Sequence, residues 1–179
     1  MKLNLGCGPY YATGWTNLEI PGTQYRCDIE ADFNLLARSP EDFAPEVKNL
    51  SAVFMGHFLE HISLDTLVLA LPELRKRMLP GAPIAVVGPD VKKAYDMFQR
   101  GLIPFSLYEL CKKHHNPTDG HSHLWDCDAE SVMHLLSAAG FQSIHEVNLA
   151  QAAPPNPSAL HHFPVVAYDR WQCAVMAAA

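Results

Sequence analysis

Two glycines one residue apart, Gly6 and Gly8, follow the apolar run Leu3-Asn4-Leu5, and a carboxylate, Glu19, ends a second short run, Trp15–Glu19. Glycines in such a turn let the backbone approach a ligand closely, because a residue without Cβ adopts unusual φ/ψ and leaves room. An acid at the end of a neighbouring strand suits hydrogen bonding to ribose hydroxyls. Together they point to a nucleoside held at the carboxyl ends of parallel strands. Further along, Gly56-His57, Pro89-Asp90 and His121-Ser-His123 carry groups able to move or hold a proton. His57 is the first candidate to line a reaction centre, His121 and His123 offer a base from a polar loop, and Asp90 could orient an acceptor. A plainer reading stands beside each, since a histidine can cap a helix or bond backbone.

For these residues to meet, the chain must place them at one edge of one sheet. Strand-like runs alternate with helix-like segments, the pattern of a parallel sheet with helices on its faces. The spacing predicts strands over 2–6, 16–19, near 24–28, Leu50–Met55, Pro83–Gly88, Phe141–Leu149 and Val165–Met176. The run Pro83–Gly88 is continuously apolar, as a central strand buried on both faces requires. Helices are expected in part of 31–48, where Pro40 and Pro45 interrupt, then over 63–79, Lys92–Gln99, Ser106–His114 and Asp128–Ala139. Ser63 opens the second of these as an N-cap, and Pro72 should kink it or split it in two. Gly140 closes the last.

At 179 residues, with 49% hydrophobic and 18% charged content, the chain reads as one globular domain over 1–179, with a lid-like insertion at about 91–127. Its 19 acids outnumber its 13 bases for a net charge of −6, which argues against a nucleic-acid partner. No apolar run approaches the roughly 20 residues of a membrane span. Five scattered cysteines without a Cys-x-x-Cys pair suggest free thiols and a cytoplasmic setting. Ten histidines invite a metal reading, through His114-His115, His121-x-His123 and His161-His162. Yet no helical His-Glu-x-x-His occurs, and His61 has no second histidine four residues on, so no metal ligands are assigned.

Four landmarks in order carry a resemblance: Leu3-Asn-Leu-Gly-Cys-Gly8, Phe54-Met-Gly-His-Phe-Leu-Glu-His-Ile62, Leu79-Pro-Gly-Ala-Pro-Ile-Ala-Val-Val-Gly-Pro-Asp90, and His123-Leu-Trp through Ala139-Gly-Phe141. The chain resembles the class I S-adenosylmethionine-dependent methyltransferases, in particular a small bacterial subgroup with Gly-Trp-x-Asn-Leu-Asp and a shortened first helix. Glu19 stands where Asp is commoner. The resemblance implies a three-layer Rossmann-like α/β fold with a seven-stranded sheet ordered 3-2-1-4-5-7-6, strand 7 antiparallel. It implies S-adenosyl-L-methionine as cofactor, with Asn4, Gly6, Cys7, Gly8, Glu19, Asp28, Ile29, Gly56 and His57 as binding candidates. Asn4 is alternatively structural. Glu19 is preferred for ribose, with Asp28-Ile29 at the adenine edge; the reverse gives ribose to Asp28. His57, Asp90 and His123 are the catalytic candidates. The implied activity is methyl transfer to a small-molecule or glycan-like acceptor, with oxygen as the candidate methylated atom, by a monomer or homodimer. A cofactor-binding or scaffold protein without turnover is the alternative.

Overall fold

The computed structural model describes residues 1–112, 122–147 and 171–179. Its elements run β1 (Lys2–Leu5), β2 (Thr16–Glu19), β3 (Ile29–Glu30), α1 (Leu35–Arg38), β4 (Ala52–Gly56), α2 (Leu64–Lys76), β5 (Pro83–Pro89), α3 (Val91–Gln99), α4 (Phe105–Cys111), α5 (Ala129–Ala138), β6 (Gln142–Glu146) and β7 (Gln172–Ala178). The strands form one sheet ordered β3-β2-β1-β4-β5-β7-β6. The pairings from β3 to β5 are parallel, and β7 runs antiparallel to both β5 and β6. This is the order expected from the sequence.

Alternation along β4 shows how the sheet is buried on both sides. Val53 and Met55 join a large cluster to which α1, α2 and α5 contribute Leu36, Leu67, Leu71, Leu74, Val132 and Leu136. Ala52 and Phe54 point the other way, into a smaller cluster with Ala85, Val87, Ala174 and Met176. Successive side chains of a strand face opposite sides, so a strand in this position must be apolar throughout. Ser63 caps α2 by accepting from the Thr66 amide at 3.3 Å. The helix runs on through Pro72 as one element. Of the two outcomes expected at Pro72, a kink or a split, the helix is not split; Leu67, Ala70, Leu71 and Leu74 are buried along it.

The other differences fall at edges. The third strand is only Ile29–Glu30, paired to Leu18 and Glu19, not 24–28. The Arg26 carbonyl instead accepts from the Cys7 thiol at 3.6 Å. No helix lies between β1 and β2, a further reduction of the shortened helix expected there. The strand expected over Phe141–Leu149 appears as Gln142–Glu146 at the open edge, with an irregular register between Gln142 and His145. The last strand is described from Gln172; most of the preceding stretch lies outside the described residues. No helix among the described residues is long and apolar enough to cross a membrane.

Candidate functional site

β1 and β4 are neighbours while the chain winds outward from both, so strand order reverses between them. Open α/β sheets bind ligands at that point, beyond the carboxyl ends of the strands. A cleft of about 660 Å³ lies there, lined by Gly6, Cys7 and Gly8 after β1, Glu19 at the end of β2, and Gly56 and His57 at the end of β4. Its size falls within the usual range for small-molecule sites.

The first wall is set by backbone conformation. Gly6 and Gly8 have φ of 66° and 49°, a region an L side chain rarely enters. The Gly6 and Cys7 amides both donate to the Leu18 carbonyl, at 2.9 and 3.1 Å, which turns the chain sharply off β1. Glu19 clamps the turn from the side: Oε2 accepts from the Gly8 amide at 2.6 Å and Oε1 from the Ile20 amide at 2.9 Å. Burial, with the Glu19 charge behind it, pushes the Cys7 thiol up to about 11. Cys7 therefore stays protonated and is a poor nucleophile.

Three further binding candidates lie elsewhere. Asn4 is buried and donates to the Tyr10 carbonyl at 3.0 Å and to Asn17 Oδ1 at 2.9 Å. It anchors the turn rather than facing the cleft. Asp28 accepts from the Tyr11 hydroxyl at 2.8 Å, and from the Asn17 amide and side chain at 2.8 and 3.0 Å. Those bonds hold its carboxyl below the usual range and tie the approach to β3 onto β2. Neither Asp28 nor Ile29 lines the cleft; the acid that does is Asp32, with Phe33 and Asn34. A strand over 24–28 ends at Asp28, whereas β3 at Ile29–Glu30 brings Asp32 to the strand's carboxyl end.

The opposite wall carries a histidine paired with a buried carboxylate. His57 has φ of 52°, a left-handed backbone that costs a non-glycine residue about 1–2 kcal/mol. Such strain at a strand end points to function. Its amide donates to the Val87 carbonyl at 2.7 Å. Its Nδ1 lies 3.2 Å from Oε1 of Glu60, which is 1% exposed. Its Nε2 lies 2.5 Å from Nε2 of Gln172 on β7. A carboxylate at Nδ1 favours the tautomer with the proton there, which leaves the Nε2 lone pair to accept from the Gln172 amide. Burial pushes the Glu60 carboxyl up, but His57 and His61 outweigh it and hold the group below its usual range. Gly88 lies against the same carboxylate, and a Cβ there would sit in ordinary contact 3.5 Å from Glu60 Oε2.

His61 lines the cleft as well, its Nδ1 3.1 Å from the Ser122 carbonyl. His123 stacks edge-on against it, with ring centroids 5.1 Å apart. The Leu124 amide and the Trp125 indole donate to the carbonyls of Glu60 and Leu59, at 2.7 and 3.0 Å. They fasten residues 122–125 to the turn Leu59–His61. Asp90 is not among the residues that line the cleft: it caps α3, accepting from the Lys93 amide at 2.9 Å, and pairs with Lys93 Nζ at 3.5 Å. His121, and the pairs His114-His115 and His161-His162, lie outside the described residues. Sequence reasoning passed over Glu60 and Gln172. For Glu60 the signal is a carboxylate three residues after His57; Gln172, 115 residues from His57, has none.

No protein-family model and no curated protein matches the chain by sequence. Solved structures match by fold. An S-adenosylmethionine-dependent methyltransferase from Archaeoglobus fulgidus superposes with a TM-score of 0.56 at 15% identity, over 99% of this chain and 85% of its own. A second, from Methanosarcina mazei, gives 0.53 at 12% identity, over 98% and 90%. Human N-acetylserotonin methyltransferase, solved in complex with S-adenosylmethionine, gives 0.52 at 16% identity; this chain is covered over 99% but spans only 46% of that enzyme.

Proposed function

We propose that this protein is an S-adenosylmethionine-dependent methyltransferase that acts on a hydroxyl of a small-molecule or glycan-like acceptor. The observation that carries the reading is the pairing, across one cleft, of a glycine turn clamped by Glu19 with a His57–Glu60 pair at the end of β4. The shared fold supports it. The cleft also fits the cofactor. A Cβ on Gly8 would meet nothing within 4 Å, so open space adjoins the bare backbone, and a carboxylate stands beside it.

Gly6 to Gly8 would cradle the amino-acid portion, Glu19 the ribose hydroxyls through its remaining lone pairs, and Asp32 to Asn34 the adenine end. When bound, S-adenosylmethionine supplies an electrophilic methyl group on sulfur. The protein has little covalent work to do. Orientation of acceptor against methyl supplies much of the acceleration, up to about 7–11 kcal/mol in favourable models. A hydroxyl acceptor also needs a base. His57 takes the proton at Nε2, while Glu60 orients the ring through Nδ1 and stabilises the imidazolium that forms. The Gln172 amide stands at Nε2, and the acceptor hydroxyl would take its place there. The region 91–127 would contribute acceptor selectivity.

Calorimetry with S-adenosylmethionine, followed by methyl transfer to a panel of hydroxylated small molecules, tests the proposal. Saturable binding that Glu19→Ala weakens, with transfer that His57→Ala abolishes, is the expected result. Binding without transfer to any acceptor would favour a scaffold. Absence of binding would overturn the reading altogether.

A further inference from the structure

We infer that Glu60, His61 and His123 form a binding site for a divalent first-row transition-metal ion, placed to hold an acceptor oxygen beside His57. One ligand-type atom from each of the three lies within 4.8 Å of the other two. A metal bonded at about 2.0–2.2 Å draws its ligand atoms somewhat closer than this, a closure within reach of side-chain rotation. One carboxylate with two imidazoles is a donor set for zinc, manganese, cobalt or iron, and it leaves coordination positions open for a substrate.

Three independent features favour an ion here. First, Glu60 is 1% exposed, and its Oε2 accepts no hydrogen bond from any described residue. A buried carboxylate ordinarily pairs fully or coordinates a metal. Its neighbour His57 faces Oε1 only. Second, His61 is held in a metal-binding form. A backbone carbonyl can only accept, so the 3.1 Å contact with Ser122 places the proton on Nδ1 and leaves a lone pair on Nε2. An outer hydrogen bond from the second ring nitrogen to backbone is the usual support of a ligating histidine. Third, the protein spends specific bonds on bringing His123 to this place, through Leu124 and Trp125 onto the turn Leu59–His61.

The site adjoins the cleft through His61, on the same turn as His57. An ion there would contribute Lewis acidity toward an acceptor oxygen and ease its deprotonation by His57. The acceptor class follows: molecules with two adjacent oxygens, such as vicinal diols, catechols or hydroxy acids, which can chelate an ion while presenting one hydroxyl. That part rests on the methyl-transfer reading; the ion site does not.

The full chain, stripped with a chelator, is titrated with Mn²⁺ and with Co²⁺ by calorimetry, and the Co²⁺ complex is examined by visible absorption. One ion per chain is expected, with d–d bands lacking intense thiolate charge transfer. His123→Ala and Glu60→Gln should each weaken binding by more than about 10-fold while circular dichroism stays unchanged. Should Glu60→Gln fail to fold, His123→Ala carries the test alone. No saturable binding, binding indifferent to His123→Ala, or thiolate bands from the cysteines would overturn the site. Mn²⁺ binding without S-adenosylmethionine binding would uphold the ion site and sink the acceptor half. Cofactor binding with undiminished transfer by chelated protein would sink that half too, while leaving the methyltransferase reading standing.

Discussion

A Cβ on Gly6 would lie 2.1 Å from Phe58 Cδ2, whereas one on Gly8 would meet no atom within 4 Å, although both backbones are left-handed. Phe58 could yield only toward the cleft it lines, at the expense of its edge-on packing against Phe33 with centroids 5.1 Å apart. Gly6→Ala should therefore destabilise the fold by about 2–3 kcal/mol, strain and overpacking together, measured by urea denaturation. Gly8→Ala should cost only about 1 kcal/mol of backbone strain. Its added methyl instead enters the space assigned to the cofactor, so affinity for S-adenosylmethionine should fall while the fold persists. Calorimetry on a folded Gly8→Ala variant with unaltered affinity would contradict that placement. His57 offers the converse test. Replacing it with glycine relieves the left-handed strain and removes the base. His57→Gly also strips the buried Glu60 carboxylate of its partner, so stability should fall by about 1–3 kcal/mol despite the relieved strain, and turnover should be lost far more than cofactor affinity.

At the scale of elements, helix starts hold the site's surroundings in place. Asp128 caps α5, accepting from the Ser131 amide at 2.7 Å, and pairs with Lys92 Nζ of α3 at 3.0 Å. Partial burial pushes its carboxyl up, but the Ser131 amide and Lys92 outweigh it and leave it below its usual range. A carboxyl lowered in the folded state stabilises it above the unfolded pKa of about 3.9, and loses that contribution as pH falls through the folded value. Asp128→Asn keeps a competent cap without the charge. The wild type should be the more stable of the two at neutral pH, and the gap should close as pH drops from about 5 to below about 3. Paired denaturation curves across that range check the sign. Asp128→Ala should cost about 1 kcal/mol at pH 7 through loss of the cap.

For the molecule as a whole, the proposed ligand must stabilise the fold by mass action. At a concentration about 100-fold above its dissociation constant, a ligand bound only by the native state adds about 2.7 kcal/mol. For a chain of this length that corresponds to a rise in Tm of about 5–10 °C, readable by calorimetry. S-adenosylmethionine should produce it in the wild type and much less in Glu19→Ala. An equal shift in that variant would remove Glu19 from the site. The sheet order gives this linkage its physical basis. Residues from the ends of β1, β2 and β4 reach one cleft, so ligand contacts tie three strands together at once.

The sequence by itself determined the strands buried on both faces and the turn after β1. Continuous apolar runs such as Pro83–Gly88 and glycines that need a left-handed backbone are local properties, legible wherever they occur. It also marked Glu19, Gly56 and His57, since each follows an apolar run directly. Only the tertiary structure decided the edges and the partners. β3 has two residues because its register on β2, not its own composition, sets its length. Asp28 is taken up by Asn17 and Tyr11 at the surface, and the acid that lines the cleft is Asp32. Gln172 reaches His57 because β7 lies antiparallel beside β5, and His123 meets Glu60 and His61 because Leu124 and Trp125 bond to their turn. Such contacts join residues far apart along the chain, where neither periodicity nor spacing carries a signal.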